Sequence, residues 1–254
     1  MCYNLYGKER LNMEFEKKVV VVTGAAVHIG RAAALTFARE GAKVALVDYN
    51  GEGVRNTCAE IIAAGGEAMD FECDVSDEAR VNEVVASVLD AWGKIDVLVN
   101  NAGLWRCDVG PFAESKSASW KKKIDVNIYG TLYFTRAVLP GMIEQQYGRI
   151  INLGSVAGVY GNANMVDYSM TKGAIIAFTT ALAKEVAPYG ITVNTVSPGN
   201  VAEDNSDKQN LTLSFIPRSG TPQENADLIC FLASDKAAYI SGQNYLIDGC
   251  RKKM

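Results

Sequence analysis

At 254 residues and 48% hydrophobic content the chain is long enough to bury a sizeable core, and its 25 basic and 29 acidic residues leave a formal net charge of -4. Those charges are scattered rather than clustered, which argues against nucleic acid or an anionic membrane surface as a partner. The single histidine, the wide spacing of the six cysteines and the lack of about 18 consecutive apolar residues argue against a metal centre, a disulfide framework and a membrane span.

The opening MCYNLYGKERLN lacks the apolar core of about 7 to 15 residues that a secretory signal needs, so a cytoplasmic location is expected. Residues 1–16 read as an N-terminal extension, frayed over the first twelve. From there apolar runs alternate with helical periodicity. A strand is predicted at Val19 to Val22, a helix at Ile29 to Glu40, a strand at Val44 to Val47 and a helix at Glu52 to Ala64. A strand near Ala68 to Cys73, a helix from Asp77 to Trp92 and a strand from Val97 to Asn100 follow. Next come a helical region from about Ala118 to Gln146, a strand Arg149 to Leu153, a long helix near Tyr168 to Ala187 and a strand Thr192 to Val196. The last predicted elements are a helix near Pro222 to Ala233 and a strand near Asn244 to Ile247. The triple lysine at 121–123 reads as a solvated helix face.

Continuous apolar strands separated by helices predict an α/β fold, a doubly wound parallel sheet of about seven strands with helices on both faces. No composition shift marks a second domain, so residues 17–254 are read as one. The polar stretch Asn200 to Ser214 follows a strand's carboxyl end, where open α/β sheets bind ligands. It reads as a substrate lid or as an ordinary surface loop.

Thr23 to Gly30 reads TGAAVHIG at the junction of the first strand and first helix, where unpaired backbone N–H groups and the helix dipole favour a pyrophosphate. Asp48 ends the second strand, 24 residues after Gly24. This pairing of turn and acidic residue marks a Rossmann-type dinucleotide site. A carboxylate there accepts ribose hydroxyls, and at about 4 Å it repels a 2′-phosphate by roughly 1 to 4 kcal/mol per charge, so NAD(H) is favoured. NADP(H) stays open, because Arg31 or Lys43 could reach a 2′-phosphate, and Asp48 could be no more than a turn residue.

Further motifs stand in order behind this turn: Asp74 with Val75, NNAG at 100–103, Asn127, Ser155, the run Tyr168-Ser169-Met170-Thr171-Lys172, and Pro198-Gly199. Taken together, from about Lys17 to Gly249, the chain resembles the short-chain dehydrogenase/reductase family. Tyr168 and Lys172 are i and i+4, hence on one helix face. A neighbouring ammonium is expected to lower the phenol's pKa, by roughly 1 to 3 units per charge.

The resemblance implies a single-domain Rossmann oxidoreductase moving a hydride between a nicotinamide cofactor and a small-molecule carbonyl or secondary alcohol. It implies that Tyr168 is the general acid or base, that Ser155 binds the substrate oxygen, and that Lys172 holds the nicotinamide ribose. Asn127 would bend its helix and hold a water leading from Lys172 to solvent. It places Gly24, Ile29, Gly30, Asp48, Val75, Asn101, Ala102, Gly103, Pro198, Gly199 and the backbone of Val201 around the cofactor. Asp74 would meet the adenine or cap a helix. It also implies a homodimer or homotetramer joined through helices near Asn127 and Tyr168.

The chain departs from the family pattern at three places. His28 stands where a second glycine is usual, its side chain turned away from the pyrophosphate or bonded to it. Asn200, Val201, Ala202 and Glu203 replace a segment that commonly carries a threonine, and Cys250 replaces a glycine after Asp248-Gly249. A nucleotide-binding protein without catalysis, and a sugar-nucleotide epimerase, are the competing readings; the intact Asn127, Ser155, Tyr168 and Lys172 argue against the first and the short chain against the second.

Overall fold

The computed structural model describes residues 13–105, 108–203 and 212–252. Strand β1 (Val19–Thr23) leads through a tight turn into α1 (His28–Arg39), followed by β2 (Lys43–Asp48), α2 (Gly51–Ala63), β3 (Glu67–Glu72), α3 (Glu78–Trp92) and β4 (Val97–Asn100). Then come α4 (Ser117–Ile124), a π-helical turn Asp125–Tyr129, α5 (Gly130–Glu144), β5 (Gly148–Leu153), the short α6 (Val156–Tyr160) and α7 (Val166–Val186). β6 (Ile191–Pro198), α8 (Pro222–Ala233) and β7 (Asn244–Ile247) complete the described elements.

The seven strands form one parallel sheet in the order β3-β2-β1-β4-β5-β6-β7. Because successive strand residues face opposite sides, Val20 and Val22 of β1 join a core with Phe37 of α1, Ile61 of α2 and Ile229 of α8. Val19 and Val21 join a second core with Val84 of α3, Phe134 of α5 and Leu182 of α7. This doubly wound, Rossmann-like sheet is the fold expected from the alternating pattern. The order reverses between β1 and β4, so their carboxyl ends diverge and leave a crevice there.

Local chemistry sets the helix starts. Asp77 caps α3 by accepting the Arg80 N–H at 3.1 Å, and Thr221 with Glu224 forms a reciprocal capping box on α8. Four details differ from the sequence reading. The extension does not run to residue 16: Phe15 is buried and meets Phe37 edge-on with ring centroids 4.8 Å apart, because an apolar ring beside the first core is worth more buried than exposed. The helical region before β5 is two helices joined by the π turn. Lys123 is not on a solvated face, being only 1% exposed, while Lys121 and Lys122 are exposed. The short helix α6 was not foreseen. The frayed segment 1–12 and most of the proposed lid, 204–211, lie outside the described residues.

Candidate active site

The turn after β1 and the loop after β4 are tied into one unit. Asn101 Nδ2 donates to the carbonyls of Thr23 and Gly24 at 2.9 and 3.0 Å, while the N–H groups of Asn101 and Ala102 both donate to Thr23 Oγ1 at 3.0 Å. Gly30 is pressed onto this unit so closely that a Cβ there would lie 2.0 Å from the Gly24 carbonyl oxygen. The wall of this turn is backbone and leaves no room for a side chain at Gly30.

At the end of β2, Asp48 accepts the N–H groups of Ala26 and Asn50 at 2.9 and 2.8 Å, so its carboxylate is fixed beside the turn. Beyond it lies a cavity of about 400 Å³ lined by Tyr49, Glu72, Cys73, Asp74 and Arg80. Asp74 does not cap α3, since its Oδ1 accepts from Ser76 N and Oγ at 3.0 and 2.7 Å. Val75 is buried and backs Gly130, where a Cβ would lie 2.5 Å from Val75 Cγ2. Arg31 and Lys43 are each paired with a carboxylate, Glu60 and Glu67 respectively. His28 adopts a φ of +50° and its Nδ1 meets Glu203 Oε1 at 2.7 Å, with 63% of the imidazole exposed, so the side chain bridges to the segment after β6.

The second half of the site forms where β5, the π turn and α7 meet. Ser155 begins α6 in an extended conformation and its Oγ accepts the Ala157 N–H at 3.1 Å. The Ser155 side chain lies near enough to the Tyr168 hydroxyl to favour its ionised form. Lys172 is 5% exposed, donates from Nζ to the Leu153 carbonyl at 2.7 Å, and lies 6.0 Å from the Tyr168 ring centroid. Asn127 sits in the middle of the π turn. Its Nδ2 donates to the Leu104 carbonyl and to Thr171 Oγ1, both at 3.0 Å, and its Oδ1 accepts the Leu104 N–H at 2.7 Å. A Cβ on Gly103 would stand 3.3 Å from Asn127 Oδ1 and 3.4 Å from Lys172 Nζ. The structure therefore brings Gly103, Asn127, Ser155, Tyr168 and Lys172 together. Pro198 ends β6, Gly199 donates its N–H to the Ile247 carbonyl at 3.0 Å, and Val201 bridges to Gly220.

One expectation is reversed. Burial pushes the Tyr168 phenol above the ordinary tyrosine value and the Ser155 side chain offsets only part of that, while burial pulls Lys172 down to about 8. Desolvation is the leading cause of both shifts, because each charged form loses its water.

Comparison with known proteins decides the family. The family model for short chain dehydrogenase matches residues 18–213. The chain belongs to the short chain dehydrogenase family. It is therefore an NAD(P)-dependent oxidoreductase that interconverts secondary alcohols and ketones. It is 43% identical over 239 residues to a 3-oxoacyl-acyl-carrier-protein reductase of Synechocystis sp., covering 91% of this chain and 96% of that protein. It is 39% identical over 244 residues to the same reductase of Thermotoga maritima, covering 93% and 98%. Among solved structures, an NAD+-bound xylitol dehydrogenase matches with a TM-score of 0.89 at 36% identity, covering 93% of this chain and 99% of that one. A 3-oxoacyl-acyl-carrier-protein reductase with bound NAD from Brucella melitensis matches at 0.87 and 35%, covering 98% and 97%.

Several residues that build this short chain dehydrogenase site escaped the sequence reading: Thr23, Leu104, Lys123, Asp167 and Thr171. Thr23 and Thr171 lay inside quoted motifs, while Leu104 acts through its backbone and carried no side-chain signal. Lys123 and Asp167 stand one turn before Asn127 and just before Tyr168, and no local pattern pairs them.

The depressed Lys172 makes a prediction for stability. Its folded pKa of about 8 lies below the ordinary 10.5, so between those values the unfolded chain holds the extra proton and stability rises with pH. The parent should gain up to about 3 kcal/mol relative to Lys172→Met on going from pH 7 to 10. Denaturant unfolding of both proteins at the two pH values measures this, and a gap that stayed constant would contradict it.

Proposed function

We propose that this chain is a cytoplasmic, NAD(H)-preferring dehydrogenase of small ketones or secondary alcohols, working as a homodimer or homotetramer, with Tyr168 as the proton-transfer residue. The observation that carries this reading is the grouping of buried Ser155 and Lys172 with half-buried Tyr168, Lys172 Nζ lying 6.0 Å from the Tyr168 ring centroid and beside Gly103. In reduction the Tyr168 hydroxyl protonates the carbonyl oxygen, and in oxidation its phenolate accepts the alcohol proton. Ser155 donates to the same oxygen and steadies charge developing there. Lys172 binds the ribose and passes protons by way of Asn127. The cofactor, when bound, supplies the hydride.

The backbone cradle at Gly24, Ile29 and Gly30 suits a pyrophosphate, Asp74, Val75, Asn101, Ala102 and Gly103 the adenosine side, and Pro198, Gly199 and Val201 the nicotinamide half. The whole of 17–254 is read as one domain, with 200–214 as the lid over the substrate. The apolar groove formed by Tyr129, Leu132, Tyr133, Leu139, Phe178 and Leu182 on the π turn, α5 and α7 supports self-association there.

Coenzyme choice follows from Asp48. Its fixed carboxylate disfavours a 2′-phosphate, and with Arg31 and Lys43 engaged elsewhere no described cation compensates at those two positions. An absorbance assay over a panel of ketones and alcohols should give a kcat/KM at least about tenfold higher with NADH than with NADPH. Preference for NADPH would overturn the assignment of Asp48.

A further inference from the structure

Helix α7 begins at Met165 without a side-chain cap. The amide of Tyr168, one of the first-turn donors left over, donates instead to Oδ1 of Asp167 at 2.7 Å. The other oxygen of that carboxylate lies 2.5 Å from Nζ of Lys123, and the two side chains are only 2% and 8% exposed. One turn on, Asn127 Nδ2 meets Thr171 Oγ1 at 3.0 Å, and that hydroxyl donates to the Tyr168 carbonyl at 2.9 Å. Lys123 and Asn127 are four apart, as are Asp167 and Thr171, so two rungs join α4 and its π turn to the first turns of α7. The backbone of Tyr168 is gripped by both rungs, at its N–H through Asp167 and at its C=O through Thr171.

We propose that Lys123 and Asp167 form a positioning pair for Tyr168, a role that rests on the reading of Tyr168 as the proton-transfer residue. An apolar contact tolerates sliding between helices; a buried ion pair does not, because either charge left alone loses both water and partner. The pair thereby sets the height of α7 against the π turn, and with it the line from the phenol to Ser155 and Lys172. While intact it is neutral overall, so it fixes the phenol without opposing its ionisation. Among the described residues, the charged groups packed about Tyr168 are Lys172 and Asp167 on α7 and Lys123 on α4, with the neutral Ser155 hydroxyl before α6; Asp125 on the π turn is exposed.

Lys123→Met, Lys123→Arg, Asp167→Asn and the double Lys123→Met/Asp167→Asn variant, each in the full chain, test this by kcat, KM, pH profile and melting. The single neutral variants should lose about tenfold or more in kcat with coenzyme KM within about twofold of the parent. The oxidation limb assigned to Tyr168 should move by about one pH unit, upward in Lys123→Met, where the Asp167 carboxylate loses Lys123, and downward in Asp167→Asn, where the Lys123 ammonium loses the opposing charge of Asp167. The double variant should restore the limb while kcat stays low. Lys123→Arg should keep the limb and lower kcat. Lower melting with parent kcat and an unmoved limb would overturn the proposal. If Lys123→Met does not fold, parent-like kcat in Lys123→Arg or in the double variant overturns it equally. Tyr168→Phe is assayed beside them: parent activity there would sink the proton-transfer reading itself, whereas an inactive Tyr168→Phe with parent-like pair variants would sink only the pair.

Discussion

Replacing Tyr168 by phenylalanine should lower kcat by about 10² to 10⁴, the range lost when a positioned acid or base is removed. The change deletes one hydroxyl and leaves the ring, which is half-buried. What is lost is the hydroxyl proposed as the proton donor. Coenzyme KM should change little, because the cradle at Gly24 and Gly30 lies on β1 and α1 and Lys172 remains anchored on the Leu153 carbonyl. Steady-state rates in both directions, with coenzyme binding followed by fluorescence, check this. A variant that turned over at the parent rate would remove Tyr168 from the chemistry.

Gly30→Ala should abolish coenzyme binding at ordinary assay concentrations, with KM raised by at least about a hundredfold. An added Cβ would lie 2.0 Å from the Gly24 carbonyl oxygen and 2.4 Å from Asn101 Nδ2. Neither neighbour can retreat easily. The Gly24 turn has a φ of +67°, and its carbonyl is held by the same Asn101 amide that would be struck. The turn must deform, with a loss in stability of about 1 to 3 kcal/mol for the overpacking. Gly141→Ala is the matched control, since a Cβ there meets nothing within 4 Å inside α5, and it should stabilise by about 0.5 to 1 kcal/mol. Equal coenzyme KM and equal melting for the two variants would refute the close-packing account of the turn.

Lys123 shows where reading one helix at a time fails. A run of three lysines near the end of a helix is most simply a wet face, and two of the three are exposed. The third is buried because the chain 44 residues later supplies an acid at the matching height of α7. That coincidence is a property of how two helices cross, and no local pattern contains it. The phenol illustrates the same limit in electrostatics. Spacing placed an ammonium one turn from Tyr168, but the sign of the net shift depends on how much water each group loses, which only the assembled structure determines.

The amino-acid order by itself determined the alternation of strand and helix, the parallel seven-stranded sheet, the glycine turn after the first strand and the Tyr168–Lys172 face. Each of these follows from short-range periodicity, glycine placement or i, i+4 spacing. Only the tertiary structure decided the burial of Lys123 with Asp167, the meeting of His28 with Glu203, the π turn around Asn127 and the direction of the Tyr168 shift. Those depend on which distant segments come into contact and on the loss of water there, and local sequence carries no record of either.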